Sequence, residues 1–248
     1  MRHTTEQFER GFPTSETVAF ENGNVAFLIK VRSDIDPGQV LHVLGLPQPR
    51  ALLIINGGTG DLTPEVQERV GQLFRGLAQL IASERIDVIT GGTRAGIFEI
   101  FGEALGKCGG PTAPCIGVLP ANRADLRRLE PHHSHFVLVE GMNWGEETEF
   151  MYRLADARAT GRPSLALFAG GGEVALKEMQ HNVAQGREMI FIGGSQGSTD
   201  RVLQARADSH ISGGRLNRIR SRGRVTLFDT NQEPDELISL VRSRLLDS

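Results

Sequence analysis

Four glycine-rich strings each follow a short apolar run: Asn56-Gly57-Gly58-Thr59-Gly60, Thr90-Gly91-Gly92-Thr93-Arg94-Ala95-Gly96, Gly170-Gly171-Gly172 and Gly193-Gly194-Ser195-Gln196-Gly197. Glycine has no Cβ and tolerates positive φ, so such strings let backbone N–H groups close around an anion. Where a string opens a helix, the free N–H groups of the first turn and the helix dipole both favour negative charge, phosphate above all. Thr59, Thr93 and Ser195 add hydroxyl donors, and Arg94 adds a guanidinium. One Gly-Gly pair is explained by a tight turn, whereas four after four apolar runs ask for one shared surface. No string reads G-x-G-x-x-G or ends in G-K-[ST], which disfavours ordinary NAD-dependent redox chemistry and P-loop hydrolysis.

Other residues carry chemistry less specifically. His132, His133 and His135 crowd the start of an apolar run, and strand alternation puts His133 and His135 on one face, where they would share a ligand or a hydrogen-bond network. No Cys or Asp completes a metal set there, so no metal is expected. Glu140, Glu146, Glu147 and Glu149 surround Trp144, the only tryptophan, whose ring is suited to stacking on a base; an acidic first helical turn beside a surface loop explains the same residues. Arg215, Arg218, Arg220, Arg222 and Arg224 form a basic stretch without interleaved aromatics, which reads as a solvated loop.

Placing four strings on one surface requires parallel strands. From Ala51 onward, short apolar runs alternate with amphipathic stretches, the pattern of βαβ units whose sheet is covered on both faces. The runs Leu52 to Ile55, Asp87 to Ile89, Ile116 to Leu119, Phe136 to Val139, Leu165 to Phe168, Met189 to Ile192 and Val225 to Phe228 predict about seven strands. Predicted helices span Pro64 to Ser83, Ile97 to Lys107, Glu146 to Ala159, Glu173 to Ala184, Thr199 to Ser209 and Pro234 to Leu246. Upstream, Val18 to Phe20 and Val25 to Val31 flank an Asn-Gly turn, a β-hairpin signal, and a short helix begins at Asp36-Pro37. The expected fold is a Rossmann-like α/β parallel sheet with helices on both faces. The expected domains are residues 1–50, a hairpin and short helix packed on the core, and residues 51–248, the nucleotide-binding domain.

A chain of 248 residues with 39% hydrophobic and 23% charged residues has material for a real core and is not expected to be disordered. Its net charge of −3 supplies no long-range attraction for nucleic acid or an anionic membrane. No apolar run reaches the ~20 residues of a membrane span, and Met1 to Phe12 lacks the apolar centre of a secretory signal, so a cytoplasmic location is expected. The two cysteines, Cys108 and Cys115, then read as free thiols.

The run from Val31 to about Ala205 resembles the SLOG superfamily, named for the Smf/DprA and LOG proteins. Within it, the N-terminal domain of TRPM channels and its stand-alone prokaryotic relatives (LSDAT) are most similar. The resemblance is carried by Ile55-Asn56-Gly57-Gly58, Ile89-Thr90-Gly91-Gly92-Thr93 with Gly96, Gly102-Glu103-Ala104-Leu105, Ile116-Gly117-Val118 with Pro120, His133-Ser134-His135-Phe136-Val137-Leu138, Gly145 with Glu147, Arg153-Leu154, Gly170-Gly171, and Gly194-Ser195 with Asp200.

It implies a nucleotide-derived ligand, ADP-ribose or a cyclic ADP-ribose or NAD-derived molecule, bound in a sensing role with no required cofactor. On that reading Gly57, Gly58, Thr59, Gly91, Gly92, Thr93, Arg94, Gly96, Gly170, Gly171, Gly172, Gly194 and Ser195 line the ligand, Glu147 meets a ribose hydroxyl, and Arg153 clamps a diphosphate with its planar fork. The partner is then a small molecule, with a homo-oligomer or a separate effector protein left open.

The LOG branch implies an alternative, nucleotide N-glycoside hydrolysis by a phosphoribohydrolase, often labelled lysine decarboxylase. Its signature resembles P-G-G-x-G-T-x-x-E. Here Ala169 replaces the proline, Glu173 the third glycine and Val174 the threonine, and Lys177 stands where the glutamate belongs. N-glycoside cleavage needs a carboxylate near the ribose, and Lys177 cannot supply it. If the chain is an enzyme, Arg153 and Glu178 are the catalytic candidates, with Glu173 a second carboxylate. The residue types otherwise read Glu178 as a solvated helix residue and Glu173 as a favourable charge in a first helical turn, so binding without turnover is the expectation.

Overall fold

The computed structural model describes residues 14–60, 62–207 and 214–247, so the first thirteen residues, and Asp208 and Ser209 at the end of one predicted helix, lie outside it. The hairpin forms as β1 (Ser15–Ala19) and β2 (Val25–Val31), and its turn is closed by Phe20 N–H to the Asn24 carbonyl, 2.9 Å, and Gly23 N–H to the Phe20 carbonyl, 3.0 Å. β2 also pairs in parallel with β6 (His135–Val139), so the hairpin extends the main sheet.

The remaining strands are β3 (Leu52–Gly57), β4 (Asp87–Thr90), β5 (Cys115–Pro120), β7 (Ser164–Ala169), β8 (Glu188–Gly193) and β9 (Val225–Asp229). Among the described residues they make one nine-stranded sheet in the order β1-β2-β6-β5-β4-β3-β7-β8-β9, parallel except for β1. The chain winds outward from β3 through β4 and β5 to β6, then returns to lay β7 on the other side of β3. That reversal is the topological switch point.

Each covered strand buries both faces, which is why these runs are continuously apolar rather than alternating. On one face Leu53, Ile55, Val88 and Leu165 meet α2 (Pro64–Glu84), α3 (Gly96–Lys107) and α8 (Pro234–Leu245). The apolar stripe Val70, Leu73, Phe74, Leu77, Ala78 and Ile81 recurs at helical spacing and turns α2 onto the sheet. On the other face Leu52, Ile54, Ile89 and Phe168 meet α1 (Pro37–Leu44), α4 (Thr148–Arg158), α5 (Glu173–Gln185), α6 (Gly197–Ala207) and α7 (Gly214–Arg222).

Two expectations change here. The basic stretch read as a solvated loop begins with α7: Ile219 enters the core and Leu216 packs against it, while the arginines stay at least partly exposed. His133 and His135 share no hydrogen-bond network among the described residues: His133 meets Thr90 and Glu130, whereas His135 meets Ser134 and stacks on Phe27.

Candidate functional site

The glycine-rich strings lie at the carboxyl ends of β3, β4, β7 and β8, on one edge of the parallel sheet. Several of their glycines exist because loop packs on loop. A Cβ on Gly96 (φ 53) would stand 2.2 Å from the Gly58 carbonyl oxygen, and one on Gly197 (φ 66) would stand 2.4 Å from the Gly171 carbonyl oxygen. Gly57 and Gly58 approach Ala169 and Gly171 in the same way, so the β3 and β7 loops touch at the switch point. Gly60 and Gly172 face open space.

The end of β8 is closed by internal bonds. The Ser195 hydroxyl accepts from Gly170 N–H at 2.8 Å and donates to the Ile192 carbonyl, and it is fully buried. Ser198 N–H and Thr199 N–H, in the first turn of α6, donate to the carbonyls of Gly171 and Gly170 at 2.8 and 3.0 Å. Asp200 accepts from Gly194 N–H and Gln196 N–H at 2.9 and 2.8 Å. The donors a phosphate would use at this helix start are therefore engaged with the neighbouring loop.

The end of β4 is built differently. Thr90 Oγ1 accepts from Gly92 N–H at 2.8 Å and lies 2.7 Å from His133 Nε2, whose Nδ1 lies 2.8 Å from Glu130. Burial pushes the Glu130 carboxyl up, but hydrogen bonds from His132 and His133 outweigh that and hold it at about 2. Burial opposes charge on His133, and the Cys115 sulfur and Glu130 outweigh it and raise the imidazole well above its usual range. This relay is sealed in the core, so it fixes the Gly91-Gly92 turn rather than reacting with anything.

Beyond the turn, the Thr93 hydroxyl is buried with no hydrogen-bond partner among the described residues. Arg94 pairs at 3.6 Å with Glu99 and, with Thr59, Gly60, Gly96 and Glu103, lines a cavity of about 270 Å³ between the starts of α2 and α3. His135 is separate: its ring stacks on Phe27 at 5.4 Å, and burial, with Arg158, lowers it to about 4. Among the described residues no group of three or more His, Cys, Asp or Glu is placed to hold a metal.

The third part of the site lies between α4 and α5. Gly145 (φ 88) packs against Val174, and its N–H donates to Glu147 Oε2 at 2.7 Å. Val174, Glu178 and Asn182 recur at four-residue spacing along α5 and so share the face turned to α4. Glu178 is buried rather than solvated, and its carboxyl has no hydrogen bond or ion pair among the described residues. Burial, and then Glu147, push it up to about 8; burial likewise raises Glu147 to about 7. Behind them the Tyr152 hydroxyl donates to Asn56 Oδ1 and accepts from Asn182 Nδ2, both at 2.9 Å, and Asn182 Oδ1 accepts from Arg187 at 3.0 Å.

A family model described as SLOG in TRPM, prokaryote (LSDAT_prok), matches residues 50–239. The chain belongs to the SLOG family. Among curated proteins none matches it. The match covers every glycine-rich string and both helices carrying the buried glutamates.

In this SLOG chain Arg153, expected as a diphosphate clamp, donates to the carbonyls of Ser33 and Ile35 at 2.9 and 2.7 Å and lies over the Phe150 ring at 5.6 Å. Those bonds brace the segment between β2 and α1. Glu173 also departs from the acid role considered for it, since it is exposed and pairs with Arg201 and Arg215. Trp144 is half-exposed on the loop that carries Gly145.

Sequence reasoning did not single out Thr90 as a hydrogen-bonding residue, nor Glu130, Tyr152 or Asn182. Glu130 lies three residues before His133, a spacing at which a carboxylate reaches an imidazole across a turn. Tyr152 is the only tyrosine in the chain, and nothing in its neighbours marks it.

Proposed function

We propose that this SLOG chain binds a nucleotide-derived ligand, ADP-ribose or a cyclic ADP-ribose or NAD-derived molecule, on the glycine-rich edge of its sheet, in the cytoplasm. One observation carries the reading: the strand order reverses between β3 and β7, where the Gly57-Gly58 and Gly170-Gly171 loops meet. Open parallel sheets bind ligands outside the carboxyl ends of their strands at such a reversal. The buried, unpartnered Thr93 hydroxyl supports it, because a native structure leaves few such groups without a reason and a ligand oxygen is one. The starts of α3, α4 and α5 lack a side-chain cap, so their first-turn N–H groups suit an anion.

Thermal-shift titration with ADP-ribose, NAD and AMP tests the reading, since a ligand at about 100 times its Kd stabilises the fold by about 2.7 kcal/mol. No shift with any of the three at millimolar concentration sinks it.

Buried Glu178 and Glu147 favour a second reading, N-glycoside hydrolysis, because a carboxyl kept protonated near neutral pH is suited to general acid work. Chromatography of AMP or ADP-ribose after incubation decides that. Free base or ribose phosphate released by the wild type, and not by Glu178→Gln, establishes turnover.

A further inference from the structure

Six large apolar side chains are exposed among the described residues, and three of them stand on two loops at the carboxyl edge of the sheet. Leu126, 50% exposed, is on the loop after β5, which turns through Ala121–Arg123 and Leu126–Arg128. Met142 and Trp144, 59% and 41% exposed, are on the loop between β6 and α4. Single exposed apolar residues are ordinary on a protein surface; a group of them on loops tied together marks a contact surface.

The two loops are bonded to each other. Asn122 N–H donates to the Gly141 carbonyl at 3.4 Å, and the Arg123 guanidinium donates to the Met142 carbonyl at 3.0 Å and to Asn143 Oδ1 at 3.4 Å. Glu146 accepts from Met142 N–H and from Asn143 Nδ2, both at 2.8 Å, and the Arg128 carbonyl accepts from Arg94 N–H at 2.6 Å. Polar groups therefore fix both loops while their apolar side chains are left in water.

The loops carry opposite charge. Residues 121–128 hold three arginines against one aspartate, and Asp125 is engaged with Arg127 N–H at 3.1 Å. Arg127 and Arg128 are exposed, and neither side chain has a hydrogen bond or ion pair among the described residues. Around Met142 and Trp144 in the chain, Glu140, Glu146 and Glu149 are exposed, and Lys177 of α5 is the cation that acts on Glu146. In a two-fold dimer the same patch serves both subunits, with each residue i meeting j and each j meeting i. A surface with a basic loop beside an acidic one, and apolar side chains on both, complements its own copy once that copy is turned by half a rotation. Trp, Met and Arg are also the residue types enriched in such contacts, Trp and Arg above all at their centres.

We propose that this surface binds a second copy of the chain, with Leu126, Met142 and Trp144 packed at its middle and Arg127 and Arg128 of each subunit facing Glu140 and Glu149 of the other. A nucleic acid is the poorer fit, because a strand of uniform charge would meet the glutamates as well as the arginines, and the net charge of −3 supplies no field to draw it in. The inference does not rest on the nucleotide reading, since none of these residues is among those assigned to the ligand.

The test is sedimentation of the full chain between about 1 and about 100 µM, on the wild type and on two charge-reversed variants. One carries Arg127→Glu with Arg128→Glu, the other Glu140→Lys with Glu149→Lys. The wild type is expected to be a dimer at the upper end of that range. Each variant alone should dissociate at about tenfold higher concentration or more, because like charges then face each other. Mixing the two variants should restore the dimer, since every reversed charge then meets its opposite. The substituted side chains are exposed, so monomer melting should change little. Should a reversed chain fail to fold, Leu126→Ser with Trp144→Ser reads the same contact and should also weaken the dimer by about tenfold or more.

A wild type that stays monomeric over the whole range overturns the inference. So does a dimer that survives both charge reversals, or a mixture of the two folded variants that remains monomeric. A monomeric wild type that binds oligouridylate, and loses it in Arg127→Glu with Arg128→Glu, gives the surface to nucleic acid instead.

Discussion

The end of β8 and the end of β4 carry similar strings, Gly-Gly-Ser and Gly-Gly-Thr, and differ in what their hydroxyls do. Ser195 has two partners inside the protein, and α6 begins against the carbonyls of Gly170 and Gly171. Among the described residues Thr93 has none, and neither does Thr148 at the start of α4. One region is a joint between loops, and the other retains unused hydrogen-bonding capacity. Glycine in such a string therefore has two causes, close approach of backbone to backbone or room for a ligand, and composition does not separate them.

The sharpest contrast comes from adding one methyl group. Gly197→Ala puts Cβ 2.4 Å from the Gly171 carbonyl oxygen at a positive φ, and Gly96→Ala is no better at 2.2 Å from Gly58. Each should lower stability by about 3 kcal/mol or more in urea melts, because backbone cannot yield as a side chain does. Gly172→Ala and Gly60→Ala meet nothing within 4 Å and should fold within about 1 kcal/mol of the wild type. Equal losses in both pairs would break the distinction between joint and open loop.

Glu178→Gln should stabilise the fold, with a pH signature. The unfolded carboxyl ionises near its ordinary 4.5 and the folded one at about 8. Below 4.5 it is neutral in both states and costs nothing; as pH rises towards 8, only the unfolded chain ionises freely, so the folded state loses stability. The variant lacks that loss, and its advantage should reach on the order of 2 to 4 kcal/mol near pH ~8 and vanish near pH ~4. Melting curves across that range check it, and an advantage independent of pH would remove the buried carboxyl as its cause.

Ser195→Ala and Thr93→Val compare the two hydroxyls directly. The first strands Gly170 N–H in the interior and should cost about 1 to 3 kcal/mol; the second removes a hydroxyl with no partner among the described residues and should cost under about 0.5 kcal/mol. Ligand affinity should reverse the ranking, with Thr93→Val the more damaging. The smallest effect is expected at Arg153. Arg153→Met should loosen the Ser33 to Ile35 segment by about 1 kcal/mol and leave nucleotide affinity within about twofold, whereas a loss of about tenfold or more would restore the clamp.

Much of the fold was legible because its signals are local. Strands buried on both faces read as unbroken apolar runs, and the α2 stripe recurs every three or four residues; predicted and observed ends agree closely for α3 and α5. Errors arose where a distant contact decides. α7 is held by Ile219 in the core with Leu216 packed against it, and His133 meets Thr90 rather than sharing a network with His135. The site was legible in its glycines and in Glu147, but the burial of Glu178 was not: one position along a helix turns a residue by about 100°, and which side is inside depends on where α4 and α5 meet.

By itself the sequence determined the parallel sheet, the edge on which its glycine strings gather, and membership of a family that the matched residues 50–239 establish. Tertiary structure alone decided that Ser195 is a joint, that Arg153 bonds to the Ser33 and Ile35 carbonyls, and that Glu147 and Glu178 are buried. The reason is the range of the interactions: periodicity and turn chemistry act over a few residues, whereas satisfying a buried polar group depends on partners tens of residues away, as Ser195 and Gly170 show.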